Sequence, residues 1–132
     1  MSRLAPASTL SRMVPALALI AVGCSVFQPA EVADWEPAPG QILTSDTQTI
    51  EILVHERACA SGASADGRIQ EPAVEYQQSA VIVTIKVKPK IGGQDCPDNP
   101  LTPFTLELEE PLGDRPLLLG GRGEPRTPDA DR

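Results

Sequence analysis

Ala80-Val81-Ile82-Val83-Thr84-Ile85-Lys86-Val87-Lys88 is the stretch from which the fold can be read. Val81, Val83, Ile85 and Val87 recur at every second position, while Ile82, Thr84, Lys86 and Lys88 fall between them. Side chains alternate across a strand, so this period places four β-branched residues on one face. Two other segments repeat the scheme. Thr49 to Glu56 sets Ile50, Ile52 and Val54 on one face, opposite Glu51, Leu53 and His55. Phe104 to Glu109 points Phe104, Leu106 and Leu108 inward. Strands with one apolar and one wetted face belong to antiparallel sheets.

Moving outward, Gln41–Thr44, Ala73–Gln77 and Leu117–Leu119 read as weaker strands. Turn residues fill 62–67, 89–103 and 111–116. No segment carries helical periodicity with caps. The pattern predicts an all-β domain over residues 42–119, either a small antiparallel β-sandwich or an open barrel. Only Tyr76 and Phe104 among the aromatics fall inside that span, so the core is expected to be mostly Val, Ile and Leu. So thin a core calls for a covalent staple.

The first 24 residues say where the protein resides. Arg3 and Arg12 precede the uncharged run from Met13 to Gly23, and small residues lead into Cys24. This is the layout of a secretory signal over residues 1–23, too short to span a bilayer and interrupted by Pro15. The end of the run resembles a bacterial lipobox, which implies palmitate-type lipidation of Cys24 and a membrane anchor. Ala21 stands where lipoboxes most often carry leucine, so plain secretion is the alternative.

Three cysteines leave one over if two pair. With Cys24 lipidated, Cys59 and Cys96 remain for a disulfide in an oxidising compartment. Closing a loop of roughly forty residues is worth about 4 kcal/mol on the chain-entropy model.

Residues 24–41 hold Pro29, Pro37, Pro39, Gly40 and three acids, and read as the lipidated cysteine followed by a proline-rich tether. Trp35 within it either docks on the domain, sits at the membrane interface or contacts a partner. Residues 120–132, rich in Gly and Pro, read as a disordered tail.

Removing the signal deletes two arginines and no acid, so the formal charge falls from −7 to −9. That balance excludes nucleic acid as a partner, because phosphate binding depends on Lys and Arg. It also argues against adhesion to anionic head groups by a polybasic patch.

Catalytic and ligand constellations are weak. His55 is the single histidine, and no serine stands in a nucleophile elbow. Zinc from His55, Cys59 and Cys96 with Asp95 or Asp98 lacks any Cys-x-x-Cys spacing. The run from Asp95 to Asn99 lacks the spacing and glycine of a calcium loop. Glu107 and Glu109 share the wetted face of one strand, where they block edge pairing. Gly120-Gly121-Arg122-Gly123 has neither the lysine nor the helix of a phosphate loop. No cofactor is expected.

The stretch from about Val54 to Gly121 resembles a group of small actinobacterial exported proteins with no assigned activity. The segments Glu56-Arg57-Ala58-Cys59-Ala60-Ser61-Gly62, Gly67-Arg68-Ile69, Cys96-Pro97-Asp98-Asn99-Pro100 and Glu110-Pro111-Leu112-Gly113-Asp114-Arg115 carry the likeness. It implies paired cysteines and a cell-envelope location, and brings no catalytic residues.

These readings point to a non-enzymatic envelope lipoprotein, anchored through lipid and presenting a β domain to an unknown envelope protein or ligand. Loops on a rigid scaffold usually carry function. Arg57, Asp98, Asn99 and Arg115 are therefore the candidate contact residues, unless the arginines merely pair with neighbouring acids and fix their loops. A metal- or small-ligand-binding module using His55, Asp95 and Asp98 is the second expectation. A secreted hydrolase is the third.

Overall fold

The computed structural model describes residues 27–128. The signal expected over residues 1–23 and Cys24 lie outside the described residues, as do residues 129–132. Six strands and no helix make up the described part. They are β1 (Glu31–Pro37), β2 (Thr49–His55), β3 (Ala73–Tyr76), β4 (Val81–Val87), β5 (Thr102–Glu107) and β6 (Leu117–Leu119). Hydrogen-bonded neighbours follow the order β3-β4-β1-β2-β5, all antiparallel. β6 departs from the antiparallel expectation and lies parallel to β4, Val81 facing Leu117 and Val83 facing Leu119.

β1 changes partner half-way. Glu31, Val32 and Ala33 pair with β4, whereas Asp34 to Pro37 pair with β2. The path curls until its edge strands β3 and β5 face each other across a shallow groove that Val74 and Phe104 line. The result is an open barrel. Side chains close its seam at both ends: Tyr76 Oη accepts the Glu109 N–H at 2.7 Å, and Thr102 Oγ1 accepts the Ala65 N–H at 2.8 Å. Pro103, which has no N–H, is tolerated on the edge strand β5.

The alternation read from sequence becomes the core. Ile50, Ile52, Val54, Val81, Val83, Ile85 and Leu106 are fully buried in one cluster, with Phe104 and Tyr76 packed against it. Cutting one of these isoleucines back to alanine costs about 2–5 kcal/mol.

β1 corrects the tether. Residues 31–37 are a strand in the middle of the sheet, because Ala33 and Trp35 alternate inward between acids and the two prolines bracket the strand instead of breaking it. The folded unit therefore starts near residue 31, not 42. Trp35 docks: it is 2% exposed, and its indole N–H donates to the Val83 carbonyl at 3.1 Å. A buried indole needs such an acceptor.

The segment 41–44 is not a strand. Gln41 takes up the backbone of Glu51 with its side chain, Oε1 accepting the N–H at 3.1 Å and Nε2 donating to the carbonyl, so no ladder forms there.

The tail is also corrected as far as residue 128. Gly120 N–H donates to Val83 O at 3.0 Å, and Leu119 and Arg126 exchange both backbone bonds, so the chain turns back onto β6. Gly121 has a left-handed φ of +89°, and a Cβ there would meet Thr84 Cγ2 at 2.7 Å. Only glycine passes the point where β1 and β6 part company along β4.

Cys59 and Cys96 form the disulfide, with their Cα atoms 4.5 Å apart. Such a bond is what an oxidising, extracytoplasmic compartment permits.

Candidate functional site

The outer face of β1 and β2 is the floor of a cleft of about 440 Å³. Asp34 lies directly across from His55, and Glu36 across from Leu53. One wall comes from the chain leaving β2 and from the loop before β5, through Arg57, Asp98, Asn99 and Leu101. The other comes from the C-terminal return, through Leu119, Arg126 and Pro128. Four separate pieces of chain meet there.

Asp34 ties the walls together. Its Oδ2 accepts from Arg57 at 2.7 Å and its Oδ1 from Arg126 at 2.9 Å, so two guanidinium groups flank one largely buried carboxylate. Hydrogen bonds between ionised partners are about twice as strong as neutral ones. With Leu53, Leu101, Leu119 and Pro128 beside them, the lining mixes both charge signs with apolar surface.

Asn99 fixes the loop wall. It is 9% exposed, and its Nδ2 donates to the carbonyls of Glu56 at 3.0 Å and Ala58 at 2.7 Å. Its Oδ1 is buried with no protein partner. A smaller hollow of about 250 Å³ adjoins this wall and reaches the disulfide. Ser61 Oγ accepts the Asp95 N–H at 3.0 Å, and Asp95 O accepts the Ser61 N–H at 3.0 Å, which holds the two cysteine loops side by side.

Beneath these loops, Arg68 binds both carboxylate oxygens of Glu56, whose side chain is 3% exposed, and donates to Lys88 O at 2.8 Å and Ser64 O at 2.9 Å. The hydrogen bond that Arg68 donates to Glu56 raises the Arg68 pKa above its ordinary value, the carboxylate charge adds to the rise, and burial opposes both. The pair joins the end of β2 to the end of β4.

Of the residues expected from sequence, Arg57, Asp98, Asn99 and His55 come together in this one region. Arg115 does not. It folds onto its own loop, pairing with Glu110 at 2.8 Å, donating to Leu112 O at 2.9 Å and Pro111 O at 2.8 Å, and lying over the Tyr76 ring. Asp95 lines neither hollow. The zinc set fails because the disulfide takes both thiolates, and among the described residues no three His, Cys, Asp or Glu side chains are grouped to hold a metal. Asp34 and Arg126 escaped the sequence reading. Their signal was the alternation Ala33-Asp34-Trp35-Glu36 and the arginines of a tail otherwise poor in anchors, Arg122 and Arg126.

The cleft lining contains no hydroxyl and no thiol. What it offers is charge pairing and apolar contact. Compared with known proteins, the chain matches no family model, no curated protein and no solved structure.

Proposed function

We propose that this chain is a non-enzymatic envelope lipoprotein, anchored through Cys24, whose β domain binds a partner in the cleft over β1 and β2. The observation that carries the reading is the convergence of four chain segments on one concave surface of mixed charge, braced by the Arg57–Asp34–Arg126 bridge. Concave, partly apolar surfaces with a few fixed polar groups are where ligands bind. The exposed apolar side chain of Leu101, 42% accessible at the rim, offers a partner contact area.

A small polar ligand in place of a protein is the second reading. The buried, unpartnered Oδ1 of Asn99 favours it, because buried acceptors are nearly always satisfied. Among the described residues no grouping of side chains supports the metal-binding form of that reading.

One experiment tests both location and cleft. A photo-crosslinking residue is placed at Leu101, or at the exposed Ile42 as a control, in the full chain with and without Cys24→Ser. The expected result is membrane-bound protein that yields a discrete adduct from position 101 only, and release from the membrane fraction by Cys24→Ser. Adducts equal at both positions, or a Cys24→Ser chain that stays membrane-bound, overturn the proposal. The adduct mass separates a protein partner from a small ligand.

A further inference from the structure

All three lysines of this acidic chain, Lys86, Lys88 and Lys90, lie at one pole of the barrel. β1 runs antiparallel to β4, so the start of β1 lies beside the end of β4, with Glu31 across from Val87. The chain therefore enters the fold where the lysines are. Two of the most exposed large apolar side chains, Phe27 at 89% and Ile91 at 95%, line one shallow groove at this pole together with Lys88 and Pro89. None of the lysines is ion-paired among the described residues, whose four salt bridges all involve arginine. Glu31, Asp66 and Glu71 are the acids on the adjoining segments, Arg122 bonds the Val32 carbonyl opposite Lys86, and Arg68 is committed to Glu56. The pole is thus slightly positive on a chain of formal charge −7.

We infer that this pole is a membrane-docking face that lays Phe27 and Ile91 into the head-group region of an anionic bilayer, with the lysines against lipid phosphates. The inference rests on the anchored reading of Cys24 and deepens it. Phe27 is three residues beyond Cys24, and three residues reach at most about 11 Å. A lipid on Cys24 thus holds Phe27 within reach of the head groups, with no long tether between anchor and sheet. Net charge had argued against such contact, but attraction to a surface depends on the charges facing it within a Debye length, not on the sum over the molecule. Each lysine near an anionic surface strengthens binding about five-fold. The interfacial role considered for Trp35 passes to Phe27, since Trp35 is in the core.

The test follows amide hydrogen exchange in the full lipidated chain held in phosphatidylcholine nanodiscs, with and without added phosphatidylglycerol. Exchange over residues 27–30 and 88–93 is expected to slow several-fold only where phosphatidylglycerol is present. Ile91→Asp removes that protection, and the double change Lys88→Glu with Lys90→Glu lowers the docked fraction ten-fold or more. These side chains make no core contacts, so the variants remain folded. Equal exchange on both bilayers overturns docking, as does protection that persists in detergent micelles, which would mean that the chain covers its own groove. Palmitate labelling of Cys24 reports the anchor separately. Should the label be missing, the unlipidated full chain is sedimented with the same lipids as vesicles: retention by phosphatidylglycerol that Ile91→Asp abolishes upholds the face, and its lack overturns it.

Discussion

At the scale of the residue, Arg68 has the most demanding position. Its guanidinium serves a carboxylate that is almost wholly buried, and it also takes two carbonyls from different segments. Replacing it with methionine keeps the volume and leaves Glu56 as an uncompensated buried charge, a change that costs about 3–5 kcal/mol. Urea unfolding of Arg68→Met against the parent checks this, and a loss below about 1 kcal/mol would refute the role given to the pair. The raised pKa of Arg68 sets the sign with pH: the contribution is complete wherever a free arginine is still charged, and fades only as pH climbs past the folded value. The motif residues Glu56, Arg68 and Asn99 stood out in the sequence, but not the reason for them. Glu56 and Arg68 are twelve positions apart, and only the folded end of the barrel makes them partners.

Among the elements, β2, β4 and β5 were legible because period-2 alternation over six or more residues leaves little choice. β1 was hidden. Its inward residues are only Ala33 and Trp35, its flanks carry prolines, and its acids are outward. Its place in the sheet depends on β4 and β2, which lie far along the chain. The parallel pairing of β6 was equally out of reach, since three leucines specify neither partner nor direction. The C-terminal return is the element whose worth is easiest to measure. Ending the chain after Gly120 removes the two backbone bonds between Leu119 and Arg126, the Arg122 bond to the Val32 carbonyl and the Arg126–Asp34 pair, and leaves the Arg57 pair to hold Asp34. The sum is about 3–4 kcal/mol from bonds worth roughly 1 kcal/mol each. The truncated chain is expected to stay folded, with a lower melting temperature and no crosslink from position 101. An unchanged melting temperature would mean that the return adds nothing to stability.

For the molecule as a whole, stability divides between a thin aliphatic core and one disulfide. The bridge spans 37 positions and is worth about 4 kcal/mol. A domain of this size has about 5–15 kcal/mol in total. Both half-cystines are exposed, so a reductant reaches them without unfolding the barrel. Treatment with a dithiol, or the pair Cys59→Ser with Cys96→Ser, is expected to lower the melting temperature by about 10 °C or more. Near-identical melting curves would show that the loops hold without the bond. Sequence placed these cysteines together by counting alone, whereas the cleft beside them needed Asp34 and Arg126, one from each end of the fold.

The change of partner within β1 also has a mechanical meaning. The first strand of the fold is the one that carries Asp34 and Glu36 to the floor of the cleft. Under the proposed anchoring through Cys24, a pull between an occupant of the cleft and the lipid enters the barrel through this one strand. It loads the bonds to β4 and those to β2 in shear, several at once, so the tension is shared by both halves of the barrel before any one bond gives way.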